Sequence, residues 1–212
     1  MRSRTPPTLE GHCRFCYLRL EYCICSELPR INTKTEVIII RHLVEARLTS
    51  NTGRLAALCL TNCRLLEYRG DSPFEASSID PLSSVLLYPG TEAPLPFVPK
   101  RLIVIDATFR QARRMYQRIP VLHQTPQLAL LAPAVAPMRL RVPPHPDGMS
   151  TIEAIAYGLG IIEDPKLKIP LLDGYARFVE RADRQRGRIR PEVPSFTDIA
   201  PQSHLGNGRN DD

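Results

Sequence analysis

The sequence predicts an α/β protein, a mostly parallel sheet with helices on both faces, preceded by a small cysteine-bearing module. Three observations lead there. The runs at 36–41 (EVIIIR) and 102–106 (LIVID) are rich in β-branched residues and carry no polar group inside them, as suits strands buried on both faces. Helical stretches alternate with such runs, the pattern of a parallel sheet joined by crossover helices. Four of the six cysteines fall within thirteen residues, Cys13, Cys16, Cys23 and Cys25, ahead of the first strand.

The chain of 212 residues suffices for one main core. We divide it into a small cysteine-bearing module over 1–30, a main α/β domain over 31–190 and a polar, flexible tail over 191–212. The formal charge of +6 favours a phosphate-bearing partner. No apolar run approaches the roughly 20 residues of a membrane span, and residues 1–9 lack the apolar core of a secretory signal. A soluble, cytoplasmic protein is the expectation.

Taken in order, the cysteine spacing C-x2-C-x6-C-x-C suits tetrahedral thiolate ligation of zinc better than a disulfide framework. Reduced buried cysteines or a redox pair are the alternative. Residues 36–41 form the first strand and 42–45 a loop or short turn. Asn51, Thr52, Gly53 and Arg54 stand before an apolar helix over 55–66, where free backbone N–H groups either hold an anion or form an ordinary cap. Cys59 and Cys63, four apart in that stretch, read as core. Further strands are predicted at 83–87, 102–106, 127–131 and 139–142. No Gly-x-Gly-x-x-Gly or Walker loop follows any of them, which disfavours a standard dinucleotide or nucleoside-triphosphate site.

The third of these runs, 102–106, ends at Asp106, where a parallel sheet usually gathers its ligands. The helix that follows places Arg110, Arg113, Arg114 and Arg118 near one another, with Ala112, Met115, Tyr116 and Ile119 on the apolar side. An acid beside a cationic ridge points to a polyanionic substrate. Ser150 and Glu153 have capping-box spacing ahead of another helix, and capping can coexist with anion binding. A last helix over 171–189 carries Arg177, Arg181, Arg184, Arg186 and Arg188 interleaved with Glu180 and Asp183, the pattern of a solvated face.

In this order the motifs resemble the DTW-domain family of tRNA-uridine aminocarboxypropyltransferases, relatives of the knotted SPOUT methyltransferases. The resemblance spans about residues 13–175. It rests on the four cysteines, His42-x-x-Glu45 with Asn51-Thr52-Gly53-Arg54, Leu87-Tyr88-Pro89, Asp106-Ala107-Thr108-Phe109 with Ala112-Arg113, Arg141, and Ser150-Thr151-x-Glu153-Ala154. The Trp that gives the family its name is Phe109 here, which keeps an aromatic face and loses the indole donor.

The resemblance implies a SPOUT-like fold with a C-terminal trefoil knot, and S-adenosylmethionine as donor of a 3-amino-3-carboxypropyl group to N3 of a tRNA uridine. Homodimers occur among related knotted enzymes. Asp106 is the candidate general base, with holding the donor as its rival role. Leu87, Tyr88, Pro89, Thr108, Arg141, Ser150, Thr151 and Glu153 are the candidate donor-binding residues. Asn51, Thr52, Arg54, Phe109, Arg110, Arg113 and Arg114 are candidates for the tRNA. A methyltransferase using the same donor and a non-enzymatic zinc-containing RNA-binding protein are the competing readings.

Overall fold

A computed structural model describes residues 10–70, 74, 76–77, 79–89, 95, 97–130, 139–140 and 148–188. Its frame is a sheet of five strands, β1 (Glu36–His42), β2 (Cys63–Tyr68), β3 (Ser84–Leu87), β4 (Arg101–Asp106) and β5 (Gln127–Leu128). They lie in the order β2-β1-β4-β3-β5, and every pairing is parallel.

β1 shows why its residues make a central strand. Val37, Ile38, Ile39 and Ile40 are all fully buried, each contributing about 1.5–3 kcal/mol of apolar burial. Because successive side chains point to opposite faces, they feed two separate cores. Val37 and Ile39 join Leu102, Val104, Leu55, Ile155 and Phe178, so α2 (Thr52–Cys59), α5 (Thr151–Ile162) and α6 (Lys168–Gln185) cover that face. Ile38 and Ile40 join Ile103, Met115, Ile119 and Leu122, so α3 (Phe109–Arg118) and α4 (Pro120–Gln124) cover the other. A single turn of helix, α1 (Leu43–Ala46), follows β1 where a loop or short turn was expected.

The cysteine-bearing segment packs into the first of these cores through Cys13, Cys16, Leu18 and Ile24. It is also tied to α6: Arg181 pairs with Glu27 at 2.9 Å, Arg177 donates to the Glu27 carbonyl at 3.3 Å, and the Arg19 N–H donates to Gln185 at 2.9 Å. Part of the arginine-rich last helix is therefore an internal joint as well as a solvated face.

Three expectations about elements need correction. The helix predicted over 55–66 stops at Cys59, and 63–68 is instead β2. Leu65 and Leu66 continue the helical spacing of the sequence, but pairing of this segment with fully buried β1 decides its conformation. The strand predicted over 127–131 is reduced to Gln127–Leu128, since 129 and 130 leave the sheet and 131 lies outside the described residues. At 139–142, Arg139 and Leu140 are not in a strand; Arg139 turns its side chain to Glu153 on α5, and 141–142 lie outside the described residues. The tail over 191–212 also lies outside them. Among the described residues no helix is long and apolar enough to cross a membrane.

Candidate functional site

The strand order creates the crevice. The chain leaves β1 through α1 and α2 toward β2, whereas it leaves β4 through α3 and α4 toward β5, on the opposite side. β1 and β4 are neighbours, so their carboxyl ends form the point where the connections part, the usual ligand position in an open parallel sheet. Arg41 and Asp106 are paired in register there.

Asp106 is 4% exposed and both of its oxygens are held. The Asn51 amide donates to Oδ2 at 2.6 Å, and the Thr151 hydroxyl donates to Oδ1 at 2.7 Å. Asn51 is also the N-cap of α2, its Oδ1 accepting from the Arg54 N–H at 2.8 Å. The Thr151 N–H in turn donates to the Thr52 hydroxyl at 3.1 Å. One carboxylate thus joins the starts of α2 and α5, residues from three distant parts of the chain. Gly53 makes this closeness possible: a Cβ there would stand 2.7 Å from Asp106 Cγ, deep inside van der Waals contact. Asn51 and Thr52 are themselves buried, so the cap alternative describes the start of α2.

Arg54 is likewise turned inward. Its guanidinium donates to the carbonyls of Ala46 and Leu48 at 2.7 and 3.2 Å and lies 3.6 Å from the centroid of the Tyr17 ring. Burial pulls it down to about 10, with Tyr17 and Asp106 opposing that shift, so it stays charged at neutral pH. Tyr17 adopts a left-handed backbone, φ 64°, uncommon for an aromatic residue.

At the start of α5, the fully buried Glu153 accepts from the Ser150 N–H at 2.8 Å, the reach-back half of a capping box. Its other oxygen takes two contacts from Arg139, at 3.0 and 2.9 Å. Thr108 caps α3 through reciprocal bonds with Gln111 at 2.6, 3.0 and 3.4 Å. Leu87 is a core residue, while Tyr88 and Pro89 lie at the open end of β3, and Tyr88 stacks on Tyr116 with centroids 4.4 Å apart. Phe109 is 72% exposed at the first turn of α3, and Arg110, Arg113 and Arg114 are exposed beside it. Arg141 lies outside the described residues.

The four cysteine sulfurs all lie within 4.8 Å of one another. A tetrahedron of thiolates about 2.3 Å from zinc sets sulfur separations near 3.8 Å; Cys13 to Cys25 is 3.7 Å and Cys16 to Cys23 is 3.8 Å. Burial raises Cys13, but hydrogen bonds from the Cys16 and Phe15 backbone and from the Cys23 and Cys25 thiols outweigh it and bring it to about 7. Burial, with the charge of neighbouring thiolates, pushes Cys16 and Cys25 up. One thiol ionises readily while its neighbours resist a second negative charge, the condition a bound cation relieves. These four residues can hold a metal ion. Cys59 and Cys63 are instead pushed up to about 12 by burial, as inert core thiols are.

The family model for the DTW domain matches residues 10–183. The chain belongs to the DTW-domain family. Among similar proteins, one of Drosophila melanogaster named tRNA-uridine aminocarboxypropyltransferase 2 is 27% identical over 186 residues, covering 80% of this chain and 74% of the relative. Proteins of the same name from Macaca fascicularis and Mus musculus are 27% and 26% identical, covering 74% and 71% of this chain. The chain spans 58% and 56% of the length of these two. No solved structure matches.

Four features of the site went unread in the sequence. The Asn51 bond to Asp106 bridges 55 residues and leaves no local trace. Tyr17 and Arg54 meet only through the fold, and so do Arg139 and Glu153. The fourth, the cap of α3, could have been read, since Thr108 and Gln111 stand at capping-box spacing.

Proposed function

We propose that this protein transfers the 3-amino-3-carboxypropyl group of S-adenosylmethionine to N3 of a uridine in tRNA, in the cytoplasm, releasing methylthioadenosine. The observation that carries this reading is the Asp106 junction. In a DTW-family chain, a buried carboxylate joins the starts of α2 and α5 where the connections of β1 and β4 part.

The chemistry asks for three things. The N3 proton of uridine must leave as nitrogen attacks the methylene next to the sulfonium. The carbon–sulfur bond breaks, its electron pair stays on sulfur, and methylthioadenosine departs as a neutral thioether. Asp106 is our general base: each of its oxygens accepts one hydrogen bond and retains lone-pair capacity, so the carboxylate is oriented and still able to receive a proton. The choice among three carbons on sulfur is made by orientation. We assign Leu87, Tyr88, Pro89 and Thr108 to the walls of the donor site. For the donor carboxylate we assign either Arg141 or the start of α5 at Ser150, since positive charge and a helix N-terminus each favour an anion. Glu153 acts on the same donor site by fixing that helix start together with Arg139.

On the acceptor side Phe109 stacks on the target base, and Arg110, Arg113 and Arg114 meet tRNA phosphates. Asn51, Thr52 and Arg54 serve the acceptor by shaping the floor through Asp106, Thr151 and the 46–48 carbonyls. The cysteine set holds zinc, which when bound ties the 13–25 segment together. A C-terminal trefoil knot belongs to the same proposal.

The test is incubation with unmodified tRNA and labelled donor, followed by nucleoside mass analysis and identification of the co-product. Aminocarboxypropyl-uridine with methylthioadenosine is expected. S-adenosylhomocysteine would make the protein a methyltransferase, and absence of donor binding in calorimetry would leave an RNA-binding module. Asp106→Asn should abolish transfer while donor binding persists; retained turnover removes the base assignment.

A further inference from the structure

A cavity lies at the same carboxyl edge of the sheet. It is an open groove of about 380 Å³ lined by His42, Tyr68 and Arg69 at the ends of β1 and β2, and by Gln111, Arg114 and Arg118 of α3. The alternation of strand side chains separates it from the Asp106 junction. Asp106 follows Leu102 and Val104 toward α2 and α5, whereas His42 follows Ile38 and Ile40 toward α3.

The charge around this groove is one-sided. Among the described residues no acid lines it, and none occurs in the ten residues of α3. Arg114 and Arg118 form no ion pair among the described residues. Glu67 lies 3.9 Å from Arg69 and is also bound to Arg41 at 3.0 Å. Three guanidiniums that converge on one cavity repel each other unless an anion enters, and guanidinium geometry matches phosphate oxygens. The rest of the lining is His42, Tyr68, Gly70, Gln111 and Met115. Gln111 contacts His42 at 3.4 Å, and the His42 and Tyr68 rings lie 6.1 Å apart.

We propose that this groove binds the phosphodiester backbone of the RNA strand next to the target uridine. The inference rests on the reading of the protein as a tRNA-modifying enzyme and extends its contact surface to β2, beyond Arg110, Arg113 and Arg114. An RNA strand, not a free nucleotide, is the occupant for two reasons. The cations come from two separate elements along an open groove, and on α3 they continue into exposed Arg110 and Arg113 toward Phe109. The target base then sits on the Asp106 side while the neighbouring phosphates cross the edge to the α3 side.

The experiment is fluorescence anisotropy with an unmodified tRNA transcript and the full chain, without donor, over a range of salt. Arg69→Gln with Arg118→Gln removes two phosphate contacts. Each contributes about 0.7–0.9 to the slope of log affinity against log salt, so the slope should flatten by about 1.4–1.8 and the Kd at 0.15 M salt should rise about 10- to 30-fold. Arg118→Glu alone should weaken binding in the same direction, with donor affinity and melting temperature as in the parent.

Unchanged Kd and slope in the double variant overturn the proposal. So does saturable binding of uridine 5′-monophosphate that the double substitution abolishes while tRNA affinity stays as in the parent. A parent that modifies tRNA but ignores these substitutions sinks the groove alone. A protein with no transfer activity, whose RNA binding still falls on substitution, sinks the enzymatic reading alone.

Discussion

Replacing Gly53 by alanine should damage the site far more than a single methyl suggests. The added carbon would stand 2.7 Å from Asp106 Cγ and 3.3 Å from its Cβ, and the first of these is about 0.8 Å short of ordinary carbon contact. Neither partner has room to yield. Gly53 lies in the first turn of α2, whose start is fixed by Asn51, and Asp106 is tied at 2.6 and 2.7 Å to Asn51 and Thr151. Overpacking costs about 1–3 kcal/mol. A carboxylate that swings away loses at least one hydrogen bond to a charged group, about 1.5–3 kcal/mol. Better helix propensity returns at most about 1 kcal/mol. A net destabilisation of about 2–5 kcal/mol follows, or about 5–15 °C in Tm for a protein of this size.

Misplacing Asp106 by this distance should lower tRNA transfer by about 100-fold or more at a temperature where the variant is folded. Leu171→Ala is the control. It removes a fully buried side chain from α6, costs about 2–5 kcal/mol and leaves in place the Asn51 and Thr151 side chains that hold Asp106, so its transfer rate should remain near that of the parent. Thermal melts and single-turnover transfer on the two variants decide the matter. A Gly53→Ala protein that melts with the parent and transfers at full rate would refute the claim that α2 presses on the carboxylate.

Protein purified without chelator should carry one zinc ion per chain by elemental analysis, and Cys16→Ser should lose it; a metal-free parent would remove the ligand assignment. Glu153→Gln should destabilise the fold by about 3–5 kcal/mol in urea titration, because it strips the counter-charge from Arg139, whose side chain is 10% exposed. A loss under about 1 kcal/mol would mean that the pair is dispensable. Arg110→Ala with Arg113→Ala should weaken tRNA binding and flatten its salt dependence. If neither changes, these arginines are solvated only.

Much of the sheet was legible because its central strands are chemically unambiguous: the isoleucines of β1 and the LIVID run of β4 fit no exposed environment. Edge strands were harder. β2 keeps only Tyr68 fully inside, so its sequence carries a mixed pattern that also satisfies helical spacing, and only the neighbouring strand resolves it. The two helix starts that meet at the site could be read from Asn51 and from Ser150 with Glu153, since caps are local. Their meeting on one carboxylate could not, since hydrogen bonds across 55 and 45 residues impose no spacing rule. The cysteine set was legible for the opposite reason: ligation demands short, regular spacing.

The stacking of Tyr17 over Arg54 has a practical corollary for anyone seeking a minimal enzyme. A version trimmed to begin after Cys25 would strip the aromatic cover from a buried guanidinium bound to the Ala46 and Leu48 carbonyls. Water would reach the hinge between α1 and α2, and the residue that grips the carboxylate sits just three positions upstream. The amino-terminal segment is thus a buttress of the Asp106 junction, and the shortest autonomous unit should include it.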